Sequence, residues 1–261
     1  MITQYYRPKS LDEALTLLAQ TNTVPLGGGT LLSHPTTDSV EVVDLQALSL
    51  NSIKKNGNNL EIGATVTLQQ LMENENCPDA LKQAIKLEAP LNIRNTATVA
   101  GTIVASDGRS TFATSLLALD AKLEQALFDN SKVEYRVSNL GDFLPLRSKN
   151  LITKIIFPTN IKFAFEFVSR TPADKPIVCA ALAQWNSGRT RLTLGGYGKS
   201  PLLAMDGGPH PSPSPAGRGT EGEGIESAAR NAYHEAKDDW ASAEYRQDVA
   251  ATLAKRCLEK I

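Results

Sequence analysis

The sequence predicts an α+β fold, and three observations support this class. A helix pattern, a glycine-rich turn and a buried-strand pattern follow one another between residues 10 and 45. Strand patterns recur between residues 150 and 197, and residues 226–261 have a helix-forming composition. Both element types are therefore expected in this one chain.

The composition is that of a globular protein, with 41% hydrophobic and 21% charged residues. The formal net charge is -1, which gives no general attraction to nucleic acid or to anionic lipid. No window has the apolar length that a membrane span needs. The first residues, MITQYYRPKS, lack the basic and apolar segments of a secretory signal, so we expect a cytoplasmic protein.

Cysteine and histidine spacing predicts no metal site. Cys77, Cys179 and Cys257 are far apart, and their spacing suits neither zinc nor a thioredoxin-like pair nor a [2Fe–2S] cluster. We expect three reduced and mostly buried thiols. The three histidines are equally scattered, so this chain by itself is not expected to bind a metal.

The first predicted element is a helix that begins with a capping box. Ser10 can cap it, and the Glu13 side chain can accept a hydrogen bond from the Ser10 amide. The apolar residues that follow lie at helical spacing. After a triple-glycine turn, VEVVDL (residues 40–45) predicts a buried strand, which completes a small α/β unit.

The middle of the chain alternates between strand and helix patterns. Residues 58–73 change from strand alternation to helix near Leu68, and residues 77–90 predict a short helix that Pro90 ends. A polar run follows, and its end, TSLLALDAKLE, fits either strand or helix. Further strands are predicted for NLITKIIFP, KFAFEFVSR, PIVCAALAQW and RTRLTLGGY, the last two in a meander.

Residues 207–224 break this pattern, because glycine, proline and serine dominate them. We interpret this stretch as a disordered surface insertion, and a peptide-docking motif is a weaker alternative. The helical residues 226–261 then end the sequence.

The triple-glycine turn is the first candidate ligand site. Gly27, Gly28 and Gly29 can expose successive amide groups to a phosphate, and Thr30 adds a hydroxyl. The pattern is neither the dinucleotide-binding turn nor a P-loop. A purely structural turn explains three glycines at least as well, because glycine also permits close packing.

A second candidate is TATVAGTIVASDGRS, residues 96–110, which offers threonine and serine hydroxyls beside two glycines. Its polarity without much charge suits an anionic ligand. Composition favours the alternative, a loop whose hydroxyls satisfy its own amides. No catalytic residue is predicted: Ser33 and His34 are neighbours only in sequence, and Asp107 has no visible partner. A bound cofactor would therefore carry any chemistry.

The order of eight segments is more informative than any one of them. They are YYRPKSLDEALTLLAQ, PLGGGTLL, LEIGATVTLQQL, IRNTATVAGTIVAS, LLALDAKLE, NLITKIIFP, FAFEFVSRTPADKPIVCAAL and LGGYGKSP. In this order they resemble the FAD-binding (medium) subunit or domain of the molybdenum hydroxylases, the xanthine dehydrogenase and carbon monoxide dehydrogenase family. The resemblance covers nearly the whole chain outside residues 207–224.

This resemblance implies a fold and a function. Two α/β subdomains of the vanillyl-alcohol-oxidase (PCMH) type, residues 1–55 and 56–160, would hold FAD. Residues 161–261 would form a small α+β domain with helices and a three-stranded antiparallel sheet. A molybdenum-cofactor large subunit and a [2Fe–2S] small subunit would be partners, and FAD would pass electrons to NAD+, a quinone or another acceptor.

The resemblance also implies which residues contact FAD. Residues 27–31 would wrap the pyrophosphate, residues 98–102 would form a second loop on the other side, and Ile152 would pack on the ring system or the adenine. The full predicted set is Leu26, Gly27, Gly28, Gly29, Thr30, Leu31, Thr98, Val99, Ala100, Gly101, Thr102, Ser106, Asp107, Thr111, Ile152 and Glu166.

The chain departs from the family pattern around this cofactor. Ala100-Gly101-Thr102 replaces a Gly-Gly-Asn run, and Thr111 stands where the family offers an aspartate to the ribityl hydroxyls. Glu166 stands where the family often has a lysine, and its carboxylate would oppose the negative charge of reduced flavin. Thr171 replaces the second arginine of an SRR motif.

Three hypotheses follow. The first is an electron-transfer flavoprotein subunit. The second is a scaffold subunit of the same fold with weak or lost FAD binding, which the departures suggest. The third is a stand-alone flavin oxidoreductase on the related fold. Residues 238–259 resemble the C-terminal helical segment of the molybdenum hydroxylase family, which disfavours the third.

Overall fold

The computed structural model describes residues 1–34, 37–129, 132–171, 174–208 and 221–261. They form two compact units, each assembled from three separate stretches. The first unit comprises residues 1–76, 89–105 and 121–157, and the second comprises residues 77–88, 106–120 and 158–261. The three-domain division made from the sequence stays a prediction. Within the described ranges, no helix is long and apolar enough to cross a membrane.

The described residues contain twelve strands and nine α-helices, with a short 3-10 helix at Gln46–Leu48. The strands are β1 (Ile2–Tyr6), β2 (Thr23–Leu26), β3 (Val40–Asp44), β4 (Ile53–Asn56), β5 (Asn59–Gly63), β6 (Lys122–Asp129), β7 (Lys132–Asn139), β8 (Leu151–Pro158), β9 (Lys162–Val168), β10 (Val178–Gln184), β11 (Thr190–Gly195) and β12 (Leu202–Gly207). The helices are α1 (Leu11–Leu18), α2 (Leu68–Glu73), α3 (Asp79–Glu88), α4 (Leu91–Arg94), α5 (Val99–Ala105), α6 (Thr111–Ala118), α7 (Leu140–Leu146), α8 (Glu221–Ala232) and α9 (Ala243–Glu259).

The first unit begins with a three-stranded parallel sheet in the order β1-β3-β2. Helix α1 packs Ala14 and Leu15 against Val43 of the central strand. The Ser10 hydroxyl caps α1 by accepting from the Glu13 amide at 3.2 Å, as predicted. The Glu13 carboxylate accepts from the amide of Lys9 at 2.9 Å, one residue earlier than predicted.

The first unit also contains a five-stranded sheet in the order β4-β5-β8-β6-β7. The predicted change from strand to helix near Leu68 is confirmed by β5 and α2, and a capping box at Thr67 begins α2. The ambiguous stretch TSLLALDAKLE contains the end of α6 and the start of β6, with a turn at Asp120 between them. The short helices α4 and α5 were not predicted, because their runs are too short to show a 3.6-residue period.

The second unit is built on an antiparallel sheet in the order β12-β11-β10-β9. The predicted meander of β10 and β11 is confirmed. The sheet has four strands rather than the three that the resemblance implies, because β12 is added at one edge. Strand β10 is apolar at almost every position, since α8 and α9 pack on one face of the sheet and α3 and α6 on the other.

The stretch 207–224, predicted to be disordered, is ordered at both of its ends. Gly207 is the last residue of β12, and residues 221–224 belong to α8. Glycine can complete the backbone hydrogen bonds of a strand or a helix as other residues do. The high glycine content of these two ends was therefore a misleading sign of disorder. The rest of the predicted insertion, residues 209–220, lies outside the described residues.

Candidate functional site

The triple-glycine turn follows β2 and carries amide groups without internal partners. No described residue accepts a hydrogen bond from the amides of Gly27, Gly28, Gly29 or Thr30. Gly29 has φ +72°, a conformation that favours glycine. Ser33 closes the turn, because its amide donates to Gly29 O at 3.0 Å and its hydroxyl to Thr30 O at 3.1 Å. Successive unpartnered amides in a turn form a concave site for an anion.

The two candidate segments of the first unit pack directly on each other. A Cβ atom placed on Gly28 would lie 1.7 Å from the carbonyl oxygen of Thr96. A Cβ on Gly27 would lie 2.7 Å from Thr98 Oγ1, and one on Gly101 would lie 2.8 Å from the same atom. Glycine at 28 is therefore required by the fold of the chain itself, and a side chain at 27 would displace that of Thr98.

Backbone hydrogen bonds hold the second segment in place. The Val99 amide donates to Val66 O at 2.8 Å, and the Leu68 amide donates to Ala97 O at 2.9 Å. Thr98 caps α5, since its hydroxyl oxygen accepts from the Gly101 amide at 3.2 Å. The Thr102 hydroxyl donates to Thr98 O at 2.8 Å. Some hydroxyls of residues 96–110 therefore bond to their own segment, as the alternative to a ligand site predicted.

Two residues just after β3 hold the carbonyl groups of the glycine turn. The Leu45 amide donates to Leu26 O at 3.1 Å, and Gln46 Nε2 donates to Gly27 O at 3.1 Å. The carboxylate of Asp44 accepts from the Gln46 amide at 2.9 Å and thereby fixes the backbone of Gln46. Gln46 was not predicted from the sequence, because it lies 19 residues from Gly27 and no local pattern connects them.

Ile152 lies in β8 of the first unit, opposite Gln125 of β6, and its side chain is buried. Leu26 and Leu31 flank the glycine turn, and Leu31 is exposed. The structure thus brings residues 27–28 together with residues 96–101 inside one compact unit. Their contact with FAD stays a prediction, as does that of Ile152.

Ser106 and Asp107 belong to the second unit, in a loop held by the glycine-rich segment after β11. The Gly108 amide donates to Gly198 O at 3.0 Å, and the Gly196 amide donates to Gly108 O at 2.7 Å. Asp107, which had no visible partner in the sequence, pairs with Lys175 at 3.4 Å and accepts from the Arg109 amide at 2.9 Å. This pairing crosses 68 residues of sequence, so no local signal could have shown it.

A buried arginine that the sequence analysis missed supports the same segment. The Arg246 side chain is fully buried, and Nη1 donates to Gly196 O at 2.8 Å and to Ile177 O at 3.3 Å. Its charge is balanced by Asp238 at 2.6 Å. A buried cation needs such partners, because desolvation without them would be costly.

Thr111 is the first residue of α6 and is fully buried. Its hydroxyl donates to Ala84 O at 2.7 Å. The Glu88 carboxylate accepts from the Phe112 amide at 2.9 Å and from the Ser110 hydroxyl at 2.8 Å. The Glu88 carboxylate, which belongs to the same unit, therefore lies at the N-terminus of α6, where negative charge is favoured. The predicted contact of Thr111 with flavin stays a prediction.

Glu166 lies in β9, opposite Ala180 of β10. Its carboxylate is paired with Lys260 at the C-terminal end of α9. The Glu166 side chain is 15% exposed, whereas that of Lys260 is 58% exposed. Any effect of this carboxylate on a flavin is thus reduced by a neighbouring cation.

The thiols match the sequence prediction. All three cysteines are free and buried. Burial raises the pKa of Cys77, Cys179 and Cys257 to about 12 in each case, which keeps them protonated at neutral pH. In the part of the chain that the structure describes, no group of three or more metal-ligating side chains occurs.

Comparison with known proteins identifies the family. Residues 1–160 match the family described as "FAD binding domain in molybdopterin dehydrogenase". The chain belongs to this family. Uncharacterized protein YgfM from Escherichia coli (strain K12) is 30% identical over 258 residues, covering 97% of this chain and 94% of that protein.

Two further proteins extend the comparison. The glyceraldehyde dehydrogenase medium chain of Sulfolobus acidocaldarius is 27% identical over 219 residues, covering 77% of this chain and 78% of that protein. Reconstituted CO dehydrogenase from Oligotropha carboxidovorans matches with a TM-score of 0.80 and 24% identity, over 98% of this chain and 96% of that chain. The structural match shows a shared fold, which confirms the predicted fold class.

The first unit fits FAD, the cofactor of this molybdopterin dehydrogenase family. A pyrophosphate needs several N–H donors that are not already used and a backbone that it can approach closely. The amides of residues 27–30 meet the first condition. Gly29 meets the second, because a Cβ there would approach only a methyl group of Leu26 among the described atoms, whereas Thr96 and Thr98 already fill the corresponding positions at Gly28 and Gly27.

Proposed function

We propose that this chain is the FAD-binding electron-transfer subunit of a molybdenum hydroxylase complex. It receives electrons from [2Fe–2S] clusters on a partner chain and passes them to an external acceptor such as NAD+ or a quinone. Membership of the FAD-binding family and the medium-chain relative support a role as one subunit among several.

One observation carries this proposal. Four consecutive turn residues, 27–30, present amides with no described partner, and the turn packs on the segment that leads into α5. The turn residues are half-buried rather than enclosed, so an anion can reach the amides that the chain itself leaves unused. The arrangement therefore favours an anionic ligand over the purely structural alternative.

The residues of this chain bind and orient the cofactor. The amides of residues 27–30 hold the pyrophosphate, and the capped start of α5 forms the facing wall. When bound, FAD couples one-electron donors to two-electron acceptors. The chain supplies position and local charge for that chemistry, and no side chain of its own has to react.

The molybdenum cofactor and the iron–sulfur clusters are assigned to a large and a small partner subunit. Cluster ligation uses several thiolates close together. The three cysteines here are separately buried, with pKa values near 12, so they are poorly suited to that task.

The first experiment is to purify the full chain and record its visible spectrum. Flavin released on denaturation is then quantified, and the apo-protein is titrated with FAD. We expect near-stoichiometric FAD, bleached by a reductant and reoxidised by NAD+ or a quinone. In a second step, the tagged chain is purified from its native cells, and molybdenum, iron and acid-labile sulfide are measured in the eluate.

Two results would overturn the proposal. A well-folded chain that takes up no FAD, either alone or in its native complex, would indicate the scaffold role instead. A flavoprotein that turns over a reductant and an acceptor without any molybdenum or iron in its native complex would indicate a stand-alone flavin oxidoreductase.

A further inference from the structure

We infer that Gln46 is a positioning residue for FAD, because it sets the direction of the phosphate-binding amides in the glycine turn. This inference rests on the proposed function and names a residue outside the set that the family resemblance implies. Its basis is the hydrogen bond from Gln46 Nε2 to Gly27 O at 3.1 Å.

The peptide geometry converts this bond into an orientation. The described backbone contains no cis peptide, so the Gly27 carbonyl and the Gly28 N–H point in opposite directions across a planar unit. A carbonyl held by Gln46 therefore directs the Gly28 N–H away from Gln46. The preceding unit is held in the same way, since the Leu45 amide donates to Leu26 O at 3.1 Å.

Two consecutive carbonyls are thus held on one side, and the amides of Gly27 and Gly28 are left for a ligand on the other. Glycine makes this support necessary, because a residue without Cβ can rotate its flanking peptides at little steric cost. Without Gln46, the Gly27–Gly28 peptide can turn over, and its carbonyl oxygen would then face the phosphate.

The position of Gln46 is itself fixed by a buried group. Asp44, at the end of β3, is only 5% exposed, and its carboxylate accepts from the Gln46 amide at 2.9 Å. Tyr5 donates its hydroxyl proton to the same carboxylate, and Arg7 lies 3.5 Å from it. The Gln46 backbone is therefore anchored to the parallel sheet, while its exposed side chain reaches the turn.

The test is a set of single substitutions in the full chain. Gln46→Met keeps the length and bulk of the side chain but removes the donor. Gln46→Glu replaces the donor by a carboxylate that repels the Gly27 carbonyl. Gln20→Met is the matched control, because Gln20 is an exposed glutamine just beyond α1. Dissociation constants are measured for FAD and, by competition, for ADP and riboflavin, together with the thermal midpoint of each apo-protein.

We expect Gln46→Met to weaken FAD and ADP binding about fivefold, the equivalent of one net hydrogen bond. Gln46→Glu should weaken both further. Riboflavin, which has no phosphate, should show no loss, and Gln20→Met should match the wild type. The apo-midpoint of Gln46→Met should fall by no more than about 4 °C, because the hydrogen bond lost lies within the chain. A role in folding alone would weaken every ligand alike.

The results separate this inference from the proposed function. If the wild type binds FAD and Gln46→Met binds it equally well, the positioning role is overturned and the function stands. An equal loss for riboflavin and ADP would also overturn it, because the effect would not act through the phosphates. A wild type that binds neither FAD nor ADP would overturn both.

Discussion

The carbonyl oxygen of Thr96 occupies the space in which a side chain on Gly28 would lie, 1.7 Å from a Cβ placed there. The glycine turn and the segment that begins α5 are therefore two halves of one packed structure. Their contact explains why glycine is needed at position 28 before any ligand is considered. It also means that a change in one segment is transmitted to the other.

Gly28→Ala is expected to destabilise the first unit and to weaken FAD binding together. The methyl group must displace backbone rather than a flexible side chain, and overpacking of this kind costs about 1–3 kcal/mol. Urea unfolding and FAD titration measure the two effects. Gly207→Ala is the control, since a Cβ there has no described atom within 4 Å. Unchanged stability in Gly28→Ala would show that the two segments can separate freely.

Ala100→Gly is expected to tighten FAD binding about fivefold, or about 1 kcal/mol. Ala100 is the half-buried second residue of α5, and its methyl group is predicted to hold the phosphate or ribityl chain away. The free energy of unfolding should fall by roughly 0.5–1 kcal/mol, because glycine weakens a helix. Ala105→Gly, at the exposed other end of α5, should lower stability without any gain in affinity. Equal FAD affinity in both variants would contradict the prediction for Ala100.

The family resemblance predicts Glu166 beside the flavin, and on that prediction Glu166→Gln is expected to raise the reduction potential slightly by removing a negative charge that opposes reduction. Lys260→Met is expected to lower the potential, since it removes the cation that pairs with this carboxylate. Lys260→Met should also cost about 1–3 kcal/mol of stability, because it leaves the Glu166 carboxylate, only 15% exposed, without its cation. Spectroelectrochemical titration of the holo-protein measures the potentials. If neither variant moves the potential, Glu166 acts only on the packing of α9 against the sheet.

Asp206→Asn is expected to lower the free energy of unfolding by about 1–3 kcal/mol at pH 7. Asp206 accepts from Arg189 Nε at 2.8 Å and from Arg191 Nη1 at 2.9 Å, and Arg191 is almost completely buried. The hydrogen bond from Arg189 holds the pKa of Asp206 below its ordinary value.

The lowered pKa of Asp206 predicts how its contribution to the free energy of unfolding changes with pH. A carboxyl whose pKa is lower when folded stabilises the protein above its unfolded pKa of about 3.9, and this contribution is lost as the pH falls through the folded value. The difference between wild type and Asp206→Asn should therefore shrink below about pH 4. Urea unfolding at pH 7 and below pH 4 measures it, with Asp239→Asn, an exposed aspartate, as the control. A difference that is independent of pH would contradict this account.

Local patterns predicted most of the individual elements. The Ser10 cap, the strands β8 to β11 and the C-terminal helix α9 each depend on residues within a few positions of one another. The weaker predictions concern segments without a clear period. Helix α5 was not predicted because seven residues rich in small and β-branched types show no amphipathic face, and β12 was missed because it is a short strand that follows a glycine-rich turn.

The sequence by itself determined the family, the order of the elements and the segments that contain the candidate site. Each of these depends on the types of residues that lie close together along the chain. Only the tertiary structure decided that the carbonyl of Thr96 enforces Gly28, that Gln46 holds the Gly27 peptide and that Asp107 has a partner in Lys175. Each of these contacts joins residues far apart along the chain. Steric exclusion and hydrogen bonding depend on distance in space, which no local pattern of residues records.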